Sequence, residues 1–139
     1  MKRLIKKSKG DSNMIGFIGY SSAQFDEEKA KEIVEEIFKS LNKNDVIVSG
    51  ATNLGIPKLV YKKANELGMK TVGVMCEEGR SEELADLDEL IVEGENWGDE
   101  SEKFLSMISV LYKIGGGKQS TVEFKKANEM GIKTFEYEL

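Results

Sequence analysis

The sequence predicts an α/β domain, doubly wound, with about six mainly parallel strands and helices on both faces. Three observations predict it. From Met14 onward, short apolar runs alternate with longer segments of helical periodicity, the pattern of βα units around a parallel sheet. The stretch Lys62 to Thr71 recurs as Lys125 to Thr134 with eight of ten positions identical, which suits two related halves of such a sheet better than a solenoid. Finally, loops rich in Gly, Ser and Thr follow the first, second and fifth apolar runs, at the strand ends where an open parallel sheet binds its ligand.

Taken in order, the strands are expected at Met14 to Tyr20, Val46 to Ser49, Lys70 to Met75, Glu89 to Val92, Val110 to Ile114 and Lys133 to Tyr137. Each is short and apolar, as a strand covered on both faces should be. The first helix follows Asp26, a good N-cap, and carries Ala30, Ile33, Val34, Ile37, Phe38 and Leu41 as one apolar stripe. A second begins near Ile56-Pro57 and stops at Gly68, proline suiting a first helical turn and glycine a left-handed cap. A third is expected over roughly Glu100 to Ser109 and a fourth from about Ser120 to Glu129, ending at Gly131. Between Cys76 and Asp88 there is room for a loop and one short helix.

At 139 residues the chain is sized for one domain. It divides into a basic tail, 1–12, and a body, 13–139. Residues 1 to 13 carry five positive side chains against Asp11, +4 there and −9 over the remainder, which together give the chain's −5. An acidic body argues against a nucleic-acid surface. The tail is read either as a contact for nucleic acid or a partner, or as a solvated arm that could add an edge strand from Leu4-Ile5. No apolar run approaches the roughly 20 residues of a membrane span, and the N-terminus lacks a signal-peptide pattern, so a cytoplasmic protein is expected.

Without histidine, and with Cys76 as the single cysteine, the chain cannot build a Ser-His-Asp or Cys-His site, a His-bearing zinc site or an internal disulfide. Oxygen-ligated Mg²⁺, held with a bound nucleotide, is the metal it can accommodate. Cys76 stands beside Glu77 and Glu78, a poor setting for a reactive thiolate.

The loops deserve a census. After the first strand come Gly19, Tyr20, Ser21 and Ser22. After the second come Gly50, Ala51, Thr52 and Asn53. After the fifth come Gly115, Gly116, Gly117, Lys118, Gln119, Ser120 and Thr121. Three consecutive glycines let the backbone approach an anion and adopt positive φ, while the helix that follows presents free N–H groups. Ser120 and Thr121 add hydroxyls and Lys118 a counter-charge; the run also reads as no more than a tight strand-to-helix turn. Its spacing fits neither a P-loop nor a dinucleotide fingerprint. Glu123, one turn inside the helix, either reaches a ligand at the N-terminus or is a solvated carboxylate favoured by the helix dipole. Thr52 and Asn53 are candidates for a ribose or for capping the second helix, and Trp97 for stacking on a base or covering the core.

The run Gly115-Gly116-Gly117-Lys118-Gln119-Ser120-Thr121-Val122-Glu123 resembles the Pro-Gly-Gly-x-Gly-Thr-x-x-Glu motif of LONELY GUY-type phosphoribohydrolases, a group long given the label lysine decarboxylase. They belong to a Rossmann-like superfamily that also holds molybdenum-cofactor carrier proteins and the DNA-processing protein DprA. Gly19-Tyr20-Ser21-Ser22 is similar to that family's Gly-Ser-Ser loop. Ser49-Gly50-Ala51 stands where the family has a Gly-rich second loop. The resemblance spans about Met14 to Leu139.

It implies a doubly wound Rossmann-like domain, a 5′-phosphate held by the glycine turn, and a role for Glu123 in N-glycosidic cleavage beside an upstream arginine. A carboxylate suits a sugar that gains oxocarbenium character. Three motif positions depart from the family: Gly115 for proline, Gln119 for glycine and Ser120 for threonine. At the arginine's approximate spacing stand Asp99-Glu100-Ser101-Glu102-Lys103, and an acidic cluster repels a monophosphate unless Lys103, Arg80 or Mg²⁺ compensates.

The leading expectation is a carrier-like protein that binds a nucleotide or another small phosphorylated ligand. The alternatives are a nucleoside 5′-monophosphate phosphoribohydrolase with Glu123 as catalytic residue, and an accessory protein that senses a nucleotide while its tail holds a partner. Homo-oligomerisation is expected from the resemblance.

Overall fold

The computed structural model describes residues 13–20 and 24–139. The basic tail, 1–12, and the candidate residues Ser21 and Ser22 lie outside the described residues. Strands β1 (Met14–Gly19), β2 (Val46–Gly50), β3 (Lys70–Met75), β4 (Glu89–Val92), β5 (Val110–Ile114) and β6 (Lys133–Tyr137) alternate with α1 (Glu27–Lys39), α2 (Gly55–Glu66), α3 (Ser101–Met107) and α4 (Lys118–Glu129). A 3-10 turn, Glu77–Ser81, follows β3. Among the described residues no helix is long and apolar enough to cross a membrane.

All six strands pair in parallel, in the order β4-β3-β2-β1-β5-β6. The chain winds outward from β1 in one direction to β4, then crosses back and winds outward through β5 and β6. The order reverses between β1 and β5, the topological switch point, and it is there that a doubly wound sheet opens a crevice at its carboxyl edge.

Helices cover both faces. Residues of α1 and α2, among them Val34, Ile37, Val60 and Tyr61, close over Ile15, Phe17 and Ile47 on one face. On the other, Phe104 and Leu105 of α3 and Ala127 of α4 cover Ile18, Val48 and Leu111. Alternate residues of β1 thus enter different cores, which is why its run is apolar without interruption. Phe17 lies stacked between Phe38 of α1 and Tyr112 of β5, and Tyr112 stacks on Phe135 of β6.

The helix ends follow local chemistry. Asp26 caps α1 by accepting from the Lys29 amide at 3.1 Å. The two copies of the repeat end α2 and α4 in the same way: the amides of Met69 and Ile132 reach back to the carbonyls of Ala64 and Ala127 at 2.9 and 3.0 Å, across Gly68 and Gly131 at φ 72° and 81°. Ala64 and Ala127 are fully buried, so the shared Ala and Gly answer to packing and capping. The shared asparagines diverge, Asn65 donating to the Asp86 carbonyl and Asn128 accepting from the Thr134 hydroxyl.

Three boundaries differ from expectation. Helix α3 ends at Met107 because Ile108 is already extended (φ −100°, ψ 151°) and Ser109 donates to the Met14 carbonyl. Helix α4 begins at Lys118, two residues before Ser120. Helix α2 is preceded by Leu54 without a side-chain cap, so neither Thr52 nor Asn53 caps it; the Asn53 amide group is drawn instead to the Glu83 carboxylate at 2.8 Å.

Candidate functional site

At the carboxyl edge of β1, β2 and β3 lies a cavity of about 160 Å³. Its wall includes Gly19, Ser49, Gly50, Thr52, Met75 and Pro57 from the sheet side, Trp97, Glu100 and Phe104 around the start of α3, and Gln119, Ser120 and Glu123 from α4. Sequence positions far apart are therefore brought together at the switch point.

The glycine turn is built as its composition requires. Gly115 and Gly116 have φ of 61° and 119°, conformations open to glycine at little cost. They turn the chain sharply enough that Gly117 becomes the N-cap of α4. The first amides of a helix have no intrahelical acceptor, and α4 meets them with no side-chain cap. Its N-terminal turn therefore presents free N–H groups at the positive end of the helix dipole.

The second helix that borders the cavity is different. The Ile56 amide donates to the Tyr20 carbonyl at 2.8 Å, and Pro57, which lines the cavity, has no N–H to offer. Between the starts of α2 and α4, that of α4 has the amides open to an anion; the start of α3, which also borders the cavity, carries the carboxylate of Glu100.

Both hydroxyls near the turn have structural partners. Ser120 Oγ donates to the Gly19 carbonyl at 3.2 Å, tying α4 to the end of β1, and Thr121 Oγ1 donates to the Gly117 carbonyl at 2.9 Å. An anion there would be held by backbone amides, with the exposed Lys118 supplying charge from outside the cavity wall. Gly50 and Thr52 line the cavity, whereas Asn53 is held away by Glu83, whose carbonyl also accepts the Asn53 amide.

Two carboxylates face the cavity from its deep side. Glu123 and Glu100 are buried, 7% and 8% exposed, and neither is ion-paired among the described residues. Glu123 Oε2 accepts from Ser101 Oγ at 2.6 Å and from Gln119 Nε2 at 3.2 Å. Glu100 Oε1 accepts from the Gly98 amide at 3.0 Å, while its Oε2 is only 3.5 Å from the same Gln119 nitrogen. Neither cation considered as a compensator serves: Arg80 is engaged by Glu77 at 2.7 Å, and Lys103 is exposed and lies outside the wall.

Burial pushes the Glu123 carboxyl above its ordinary value. The Ser101 and Gln119 hydrogen bonds pull it down, and the neighbouring Glu100 pushes it up further. A carboxyl with a raised folded-state pKa binds its proton more tightly folded than unfolded, so it loses stability as pH rises through that pKa. Glu123→Gln should therefore stabilise the chain at neutral pH. The gain should vanish as pH falls to the ordinary 4.5 and below, where the carboxyl is neutral in both states. Urea titrations of both proteins at neutral and acid pH test this; equal stability at neutral pH would contradict the desolvated setting.

Glu100 and Gln119 enter the sequence reading only as departures from the family motif, and the structure makes them site residues. For Gln119 a second signal was present: it stands four residues before Glu123, a neighbour on a helix face.

Comparison with known proteins agrees with this architecture. The model of the SLOG cluster4 family matches residues 12–134. The molybdenum cofactor carrier protein from Chlamydomonas reinhardtii superposes with a TM-score of 0.74 at 23% identity, covering 91% of this chain and 76% of that one. A further structure of that carrier gives 0.72 at 25% identity, covering 92% and 77%. The protein TM1055 gives 0.75 at 22% identity, covering 88% and 72%. No curated protein matches in sequence.

Proposed function

The chain belongs to the SLOG cluster4 family, and from that premise we propose that it is a carrier-like binding protein for a nucleotide or another small phosphorylated ligand. The observation that carries this reading is the uncapped N-terminal turn of α4, whose Gln119 and Ser120 form part of the cavity wall at the switch point. A phosphate seated there meets several backbone donors at once. The resemblance in fold to a protein named for carrying the molybdenum cofactor supports a holding role.

Mg²⁺ would enter with such a ligand. Among the described residues no three acidic, Cys or His side chains converge on one point, so the ion would complete its shell from phosphate oxygens and water.

Thermal unfolding of the full chain against a panel of nucleoside monophosphates, phosphosugars and phosphorylated pterins, with Mg²⁺ or EDTA, tests the reading. A ligand at ~100 times its Kd adds about 2.7 kcal/mol to stability. No shift with any of them would reject it.

One observation favours turnover instead: Glu123 is a buried carboxyl of raised pKa at the cavity wall, as an acid or base near neutrality would be. Against it, the neighbours of Glu123 among the described residues are a hydroxyl, an amide and another carboxylate, with no cation among them to hold a departing charge. Release of free base from a monophosphate, lost in Glu123→Gln, would make the protein a phosphoribohydrolase.

A further inference from the structure

The cavity wall carries two chemically different features. One is the donor-rich start of α4; the other is the pair of buried carboxylates, Glu100 and Glu123, which Gln119 of that start links and which no cation pairs among the described residues. Removing ionised carboxylates from water costs several kcal/mol each unless donors replace the lost hydration. The protein supplies few. Glu123 Oε1 accepts no hydrogen bond among the described residues, and Glu100 Oε2 has only the long contact to Gln119. Both side chains line the cavity, so each carboxylate keeps acceptor capacity for a ligand there.

Beside them, Trp97 stands on the rim with half its surface exposed. An exposed indole at a cavity mouth offers a flat face for a ring.

Resting on the binding function above, we propose that this wall selects a ligand whose ring presents adjacent N–H donors, the pattern of the N1–H and 2-amino edge of guanine. Such an edge matches carboxylate acceptors as an arginine fork does. Adenine places a ring acceptor where guanine has N1–H, and so sets a lone pair against a carboxylate. The carboxylates are then specificity-determining groups: the turn holds the phosphate, and Glu100 with Glu123 reads the ring.

The experiment is calorimetric titration of the full chain, in Mg²⁺, with GMP, IMP, AMP and inorganic phosphate, on the wild type and on Glu100→Gln. Affinity should fall in the order GMP, IMP, AMP, with GMP ahead of AMP by about tenfold or more. In Glu100→Gln, the carbonyl can keep the Gly98 contact and turn its NH₂ to the cavity, so the GMP advantage should collapse while phosphate binding persists. Equal or tighter binding of AMP by the wild type would overturn the inference and leave the binding function standing. So would a variant that keeps the full GMP advantage. Binding of none of the four would overturn the inference, and the wider thermal panel above then decides the binding function separately. Should Glu100→Gln fail to fold, the wild-type ranking of IMP between GMP and AMP decides the matter alone.

Discussion

Gly116→Ala should destabilise the folded chain by roughly 2–5 kcal/mol and abolish stabilisation by phosphorylated ligands. Two causes act together. Gly116 sits at φ 119°, where a side chain is strained by about 1–3 kcal/mol. A Cβ there would also stand 2.7 Å from Ser120 Cβ, inside the first turn of α4. Relieving the overlap means moving the turn away from the helix start it feeds, which misplaces the amides that would hold an anion. Urea unfolding measures the first effect as a lower midpoint at unchanged slope, and ligand titration measures the second.

A neighbouring variant supplies the control. Gly117 has φ −101° and its added Cβ would meet nothing within 4 Å, so Gly117→Ala should cost no more than the roughly 1 kcal/mol of a poorer N-cap and leave ligand stabilisation in place. Equal losses at both positions would mean that the turn does not have the backbone described. The three glycines read alike in sequence, and only their φ values and surroundings separate them.

Gly19→Ala should be comparably damaging, by about 3 kcal/mol or more, for a different reason. Gly19 ends β1 in register with Ile114 of β5. A Cβ on it would fall 2.3 Å from the Ile114 carbonyl oxygen and 2.7 Å from Ile56 Cγ1. The first neighbour is backbone of the adjacent strand and cannot rotate away, so the clash must open the β1–β5 seam. Because Ser120 donates to the Gly19 carbonyl, the start of α4 should move with it. Amide exchange should show lost protection in β1 and β5 while β3 and β4 stay protected. Protection lost evenly across the sheet would argue against a local seam.

Much of the fold was legible before any coordinates. The six strands stand where the apolar runs placed them, to within one residue at the ends of β1 and β2; the central strands β1, β2, β3 and β5 are largely buried and leave no polar alternation to confuse the reading, while the edge strands β4 and β6 are more exposed. Helix ends were less legible where apolar periodicity misleads. Ile108 continues the α3 pattern yet is buried as extended chain leading into β5. Lys118 and Gln119 carry no apolar signal, so α4 appeared to start later than it does.

The site divides in the same way. The glycine turn and Glu123 are contiguous, and contiguity is what a motif records. Glu100 joins Glu123 through Gln119 across 19 residues of chain; spacing brought its acidic cluster to the family arginine's position, but the contact itself is made by the docking of α3 against α4. Asn53 shows the converse: its polar side chain in a Gly-rich loop looked poised for a ligand, but the segment around Glu83 lies against that loop and takes it.

On the binding function proposed above, the contrast between the helix starts of the repeat, one open at α4 and one closed at α2 by the Tyr20 carbonyl and Pro57, would set the direction in which a ligand lies. Two equivalent positive poles would accept a phosphorylated molecule head-first either way. With one pole silenced, the duplicated unit loses its twofold ambiguity, and the unphosphorylated end of a bound ligand would always point the same way.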